Sequence, residues 1–530
     1  VGSGLTMIGF DDVSSRLENW ESGRADIWNA NLQIFSDFPY VGTGTGTHAE
    51  VYKMYLDQPF DTREFTHAES SVLQVASETG SAGLCLAALA VLTCLYWCTR
   101  GLRITESRRT SLALAAIIGT LAANFTHAFF DVVWYVPGCM VIVIILAASA
   151  CRLYQLAALT QATDNPESVE HTGGMPVPRF AVACSLLGVG LLGAWMVLQK
   201  LPDVFYEPHW HHYLRLSLDA DDAEEVSGER ELFRKRMLAL QAAARANPNN
   251  ARAQLLLGSG LMTLFSTQQA DSQNPMSLAQ IRDAALASEF DSLDAQNAWL
   301  DVAISDNRKY LDAALHHTRR ALELCPMQGR GYLNLAELSF LENLDPGKPN
   351  GYIAQALTIR PHDPRVIFIA GREAWTAGDF EQGIAHWKKA FHRSQLYQTF
   401  IIQALAPNVP AQFFIETFDP DWAALEVLTK QFKTLNKPED YALLVRRFAD
   451  VSVERARGTS GEDAVEAWLH AQRSFDTIGD QARAGACLEN ALRTDPTSFD
   501  AHHAARTWFY QQQKYEQAAE HLVWCSRRRP

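Results

Sequence analysis

The chain has no surplus of basic residues: 46 Lys and Arg stand against 60 Asp and Glu, a formal net charge of −14. That balance excludes a nucleic-acid binder of the usual kind, because phosphate contacts need a basic face. Cysteine is sparse and poorly placed for metal or disulfide chemistry. Six of the nine (Cys85, Cys94, Cys98, Cys139, Cys151 and Cys184) fall in apolar stretches, where a thiol serves as a small hydrophobe. Cys325, Cys487 and Cys525 are far apart and odd in number, and no Cys-x-x-Cys or Cys/His spacing accompanies them. Neither a metal site nor a cofactor is expected. The chain begins at Val1 without Met, and Val1 to Phe10, although apolar, lacks the basic start and small-residue cleavage site of a signal peptide. That stretch reads as the continuation of something upstream.

What the sequence does have is long charge-free runs. A helix needs about 20 apolar residues to cross a bilayer core. Ala82–Cys98 with a helical lead-in from Val72, then Ser111–Phe130, Val132–Cys151 and Phe180–Gln199 each approach or meet that length. One charge at a helix centre costs roughly 2.5–3.5 kcal/mol on insertion scales, so four such runs point to membrane spans. Arg100, Arg103, Arg108 and Arg109 crowd the first connection, and Arg152 and Arg179 bracket the third. The positive-inside rule places both connections in the cytoplasm, and alternation then puts residues 1–75 and everything after 200 on the opposite side. A transporter or channel is disfavoured, because the spans hold almost no ionisable groups beyond His127 and Asp131.

Beyond the fourth run an acidic connector (Asp219, Asp221, Asp222, Glu224, Glu225) leads into charged, helical sequence with a recurring phrase. Ala321-Leu-Glu-Leu-Cys325-Pro326, Ala356-Leu-Thr-Ile-Arg360-Pro361 and Ala491-Leu-Arg-Thr-Asp495-Pro496 share one pattern; the first two prolines lie 35 residues apart and the next follows after 135. Pro248 lies 78 residues before Pro326. A period near 34 with small residues at a tight helix contact and proline after the second helix matches tetratricopeptide repeats. Gly378-Asp379-Phe380 and Lys514-Tyr515, each followed by alanines, fit as well, whereas residues 400–460 fit poorly. The expectation is therefore an all-α protein: an extracytoplasmic loop over 1–75, a polytopic membrane region over 76–199, an acidic linker over 200–235, and an α-solenoid of tetratricopeptide-like repeats over 236–530. Such solenoids present a concave face to a peptide or protein.

Chemistry is most plausible between residues 11 and 80. Arg24 opens an amphipathic helix with Trp28, Leu32 and Phe35 at helical spacing. Phe38-Pro-Tyr-Val-Gly42-Thr-Gly44-Thr-Gly46 is too rich in glycine to be helical, and lacks the Lys-Ser/Thr of a phosphate-cradling loop. Thr66-His67-Ala68-Glu69-Ser70-Ser71-Val-Leu-Gln74 then leads into Glu78-Thr-Gly80-Ser-Ala-Gly83. Further on stands His127-Ala-Phe-Phe-Asp131, with Pro137 after it. These phrases, in this order, resemble the O-antigen ligase and polymerase family of bacterial membrane glycosyltransferases over residues 14–155. Carboxy-terminal tetratricopeptide repeats are a known extension there.

The resemblance implies transfer of a glycan from a polyprenyl diphosphate carrier to a lipid or protein acceptor, without a metal, at the periplasmic side of a bacterial inner membrane. The family's loop arginine carries over to Arg24, suited to phosphate oxygens, and its loop histidine to His67, a general base titrating near neutrality. Arg63 is a second candidate phosphate contact, Glu69 a partner for His67, and Gly44 and Gly46 candidates for backbone contact with substrate. The sequence departs from the family where Ser70 and Ser71 stand in place of asparagine. The alternative is a non-catalytic, membrane-anchored repeat scaffold. Tyr206, His209, Trp210, His211 and His212 read as an interfacial aromatic belt rather than a metal cluster.

Overall fold

The computed structural model describes residues 10–57, 65–164, 179–218, 226–272, 275–288, 290–342 and 348–528. Among these the regular structure is helical throughout, with no strand. Val1–Gly9, Arg63 and the acidic residues Asp219–Glu225 lie outside the described residues. The chain divides into two compact units, the first running to Val366 and the second beginning at Ile367. The division falls within the helical tail.

Helix α1 spans Phe10–Asp37 and the one-turn α2 spans His48–Val51. Four long apolar helices follow: α3 (Ser71–Ile104), α4 (Arg108–Ala128), α5 (Pro137–Asp164) and α6 (Arg179–Leu218). Their most apolar windows are only 0–17% buried within the protein. Leu86, Leu89 and Leu92 on α3, Ile142, Ile144 and Ile145 on α5, and Leu186, Leu187 and Val189 on α6 all face outward. Core helices of a water-soluble protein would hide these side chains, and an apolar surface this extensive belongs in lipid. The protein is a membrane protein.

Two boundaries differ from expectation for local reasons. The third span starts at Pro137, because the ring's fixed φ suits the first turn of a helix, and Val132–Val136 is spent in a short turn before it. The fourth does not stop at Gln199; α6 continues through Pro202 and Pro208 to Leu218. Tyr206, Trp210 and Tyr213 on this extension pack on Leu240, Ala243 and Leu257 of α7 (Val226–Ala246) and α8 (Ala251–Ala270). Tyr206 and Trp210 of the aromatic cluster thus join a protein core, while His209, His211 and His212 are exposed.

The tail continues as α9 (Leu278–Ala287), α10 (Leu293–Ala303), α11 (Arg308–Leu324), α12 (Gly329–Leu338), α13 (Lys348–Ile359) and α14 (Pro364–Thr376). The second unit is built from further helices between Phe380 and Arg528. The recurring phrase has a structural counterpart. At Asn247, Cys325, Arg360 and Asp495 the backbone N–H closes the preceding helix by donating to the carbonyl four residues back, and three residues later an N–H donates to that residue's own carbonyl. A new helix begins immediately after each turn, at Ala251, Gly329, Pro364 and Phe499. The alanines of the phrase, Ala321, Ala356 and Ala491, are fully buried, as close helix contact requires.

Candidate functional site

Helix α3 is broken. Gly80 sits inside it at φ +63°, ψ −161°, so the stretch before it and the stretch after it cannot share a continuous hydrogen-bond ladder. The freed groups are met by the glycine-rich turn. Thr43 and Gly44 donate to the carbonyls of Ser77 and Glu78, while Ser81 and Ala82 donate to those of Pro39 and Tyr40, all at 2.8–3.1 Å. Backbone groups freed by such a break must find partners elsewhere in the protein, and here the turn supplies them. Two glycines make the approach possible. A Cβ on Gly42 would lie 2.3 Å from the Glu78 carbonyl carbon, and one on Gly80 would lie 2.4 Å from that of Tyr40.

The turn following α4 is tied to the start of α3. Ser70 caps the helix by accepting from the Leu73 N–H. Ser71 donates both its N–H and its hydroxyl to the Asp131 carbonyl and accepts from the Trp134 N–H. These two serines, standing where the resemblance expects asparagine, thus have defined structural tasks. Trp134 also donates its indole N–H to Asn124. On the opposite face, α1 presents Ile27, Ala30 and Ile34 to Val51, Tyr52 and Leu56. The expected stripe through Leu32 is displaced on the helix: Leu32 is 51% exposed, because the buried face runs through Ile27 and Ile34 instead.

Arg24 projects from α1 onto this junction. One terminal nitrogen donates to the Phe130 carbonyl at 3.2 Å, and the other stands 3.6 Å from the Glu69 carboxylate. Glu69 holds a left-handed backbone, φ +53°, which is strained for a residue with a side chain and recurs at functional turns. Two residues earlier, His67 bonds the Thr66 hydroxyl through Nδ1 and sets its ring edge-on against Tyr135, 5.7 Å between centroids. The Tyr135 hydroxyl donates to Glu78, and burial together with that carboxylate pushes its pKa up. Arg24 from α1 is therefore brought to the segment that carries His67 and Glu69, where α1, α3 and the 129–136 turn meet. The His127 imidazole lies 3.3 Å from the Asp131 carboxylate, both side chains being exposed. Of the glycines, Gly44 has its N–H committed to Glu78, while Gly46 has no atom within 4 Å of where a Cβ would be. Among the described residues no group of three His, Cys, Asp or Glu side chains could hold a metal ion.

Two buried residues beneath this junction are not singled out by the sequence. Glu78 is 1% exposed and accepts from the Gln74 amide, the His48 N–H and the Tyr135 hydroxyl. His48 is 2% exposed; its Nδ1 donates to the Asn31 carbonyl oxygen at 3.1 Å, an assignment fixed by the Asn31 amide donating to Ile27. Its ring stacks on Tyr52. Burial pulls the His48 pKa down to about 4, with the His67 backbone opposing that shift and the His67 charge adding to it. One signal does exist: His48-Ala49-Glu50 and His67-Ala68-Glu69 are the same tripeptide, once after each turn.

Residues 4–88 match the O-antigen ligase family. The matched segment thus holds the glycine turn, the broken part of α3, and Arg24, His48, His67, Glu69 and Glu78. The match supports a membrane glycosyltransferase-like role in polysaccharide synthesis. No curated protein matches the chain. Among solved structures, a monomeric IFIT1 mutant with Gppp-AAAA matches at 16% identity over 62% of this chain and 74% of its own, with a TM-score of 0.20. Naa15/Naa10 bound to HypK-THB matches at 13% identity over 98% of this chain and 94% of its own, with a TM-score of 0.15.

Proposed function

We propose that the protein transfers a glycan from a polyprenyl diphosphate carrier to an acceptor hydroxyl, at the periplasmic face of a bacterial inner membrane. The observation that carries this reading is the meeting of Arg24, Glu69 and His67 inside the segment that matches the O-antigen ligase family. The arginines at 100, 103, 108 and 109 favour a cytoplasmic connection between α3 and α4, which leaves the junction on the other side, where lipid-linked glycans are used.

In the proposed step the acceptor oxygen bonds to the anomeric carbon as the bond from that carbon to the carrier diphosphate breaks. The acceptor proton passes to His67, and the charge gathered on the departing diphosphate is met by the Arg24 guanidinium, whose planar fork suits phosphate oxygens. Glu69 holds Arg24 in place, and the open backbone at Gly46 is the part of the glycine turn left for a ligand. The helical tail is proposed to recruit the acceptor or a protein partner.

In the membrane-embedded protein, His67→Ala, which removes the base, and Arg24→Ala, which removes the charge facing the diphosphate, should each lower transfer by roughly a hundredfold while leaving membrane insertion intact. Unchanged transfer in both removes the site assignment. Sidedness has its own test. In a cysteine-free background, Thr45→Cys should react with a membrane-impermeant maleimide added to the periplasmic side; labelling only after permeabilisation contradicts the orientation.

A further inference from the structure

Two of the four phrase turns in the tail reach the segment between His48 and Asp57. Arg360, 5% exposed, directs one terminal nitrogen to Glu50 and the other to the Ile359 carbonyl at 3.0 Å. The Gln328 amide, in the preceding turn, donates to the second oxygen of the same Glu50 carboxylate at 3.4 Å. Its neighbour Met327 joins the apolar cluster of Ile27, Ala30, Ile34, Val51, Tyr52 and Leu56. His362 lies 3.2 Å from Asp57. The segment from His48 to Asp57 is thereby gripped at both ends and in the middle.

The grip is specific to these two turns. The residue matching Arg360 is Asn247, Cys325 or Asp495 in the other three, each too short to reach as far. Gly329 completes the fit: a Cβ there would lie 2.3 Å from the Arg360 Cγ, so the arginine stem lies flat only against glycine. A guanidinium buried this deeply is tolerable only when paired, which makes Glu50 an obligatory partner and not an incidental one. Glu50 belongs to the same single helical turn as His48.

We infer that the turns at 325–328 and 360–363 form a clamp that positions the His48 segment, making Arg360 a positioning residue for the transfer site and giving the helical tail control over it. The mechanical part stands on the contacts alone; the link to transfer rests on the function proposed above. The His48 N–H donates to Glu78, which also takes the hydroxyl of Tyr135 against which His67 is set, and the Tyr52 hydroxyl accepts from the Phe65 N–H, so loosening the clamp loosens the turn that presents His67.

The test uses the whole membrane-embedded protein, with two independent readouts. Arg360→Met should speed hydrogen exchange of the Val51, Tyr55 and Leu56 amides while leaving those of Ser81 and Ala82 protected. It should also lower kcat by roughly ten- to a hundredfold with KM for the lipid-linked donor unchanged, as expected when a remote change misplaces a catalytic group. Arg360→Lys should recover part of both, and Glu50→Leu with Arg360→Met should behave better than Arg360→Met alone, because an apolar pair leaves no buried charge unpaired. Unchanged exchange in Arg360→Met overturns the clamp. Altered exchange with unchanged kcat overturns its control of transfer. Failure of the site reading shows separately, as full transfer in His67→Ala.

Discussion

Gly80→Ala should leave no measurable transfer and should strongly destabilise the segment that holds the glycine turn and the break in α3. Three costs coincide at this position. The backbone stands at φ +63°, where an L side chain is strained by about 1–3 kcal/mol. The new methyl would lie 2.4–2.6 Å from Tyr40 and Val41 backbone atoms, none of which can rotate aside as a side-chain tip could. Relieving that clash means withdrawing the glycine turn, which loses the four backbone hydrogen bonds joining it to α3, each worth about 1 kcal/mol net and more where water is excluded. The total, roughly 5 kcal/mol, is comparable to the stability of a small domain. Gly46→Ala is the control. It too has positive φ, +78°, but nothing lies within 4 Å, so only the conformational strain of about 1–3 kcal/mol remains. Thermal unfolding of the two variants, followed in detergent, should separate them by several degrees, with Gly80→Ala the lower. Equal midpoints would mean that the turn does not brace the break in α3.

The membrane helices are legible in the sequence because a charge-free run of about 20 residues fits a bilayer core and is costly anywhere water can reach it. The phrase turns are legible because proline after a helix is a local signal. Arg24, His67 and Glu69 can be nominated by resemblance, yet nothing in the sequence brings α1 against the 129–136 turn; the contact of Arg24 with the Phe130 carbonyl is purely tertiary. Gly42 and Gly80 each read as punctuation. Their shared purpose, letting a turn replace the missing hydrogen bonds of a broken helix, appears only when the two are seen together. The buried stripe of α1 is obscured because aromatic and leucine positions outweigh Ile27 and Ile34 in a linear reading, while the partners of those isoleucines come from residues 51–56. The run of α6 past Gln199 is hidden because proline reads as a stop, whereas neighbouring helices hold this one together beyond Pro202. The pairing of Glu50 with Arg360 joins residues 310 positions apart and leaves no periodic trace.

Acid should loosen the site through His48, and the sign follows from its environment. The unfolded chain protonates a histidine near its ordinary value of 6.5, but the folded protein resists until about 4, because a buried imidazolium loses its water. Above 6.5 both states carry a neutral ring and the contribution is constant. Between 6.5 and 4 the unfolded state binds the extra proton, so stability falls as pH falls; below 4 both states are charged and the loss is complete. The gap corresponds to about 3 kcal/mol. The groups around the ring make this loss hard to avoid. Asn31 takes the Nδ1 proton, Tyr52 covers a face, the Glu78 carboxylate is already engaged by the backbone N–H, by Gln74 and by Tyr135, and His67 adds like charge if it too is protonated. His48→Asn keeps a donor to Asn31 at nearly the position of Nδ1 and removes the titration. Protection of the 48–56 amides, measured by hydrogen exchange from pH 7 to pH 4, should collapse in the native protein by roughly a hundredfold more than in His48→Asn. Parallel decline in the two would show that the ring is not the acid-sensitive group, and that the segment opens for another reason.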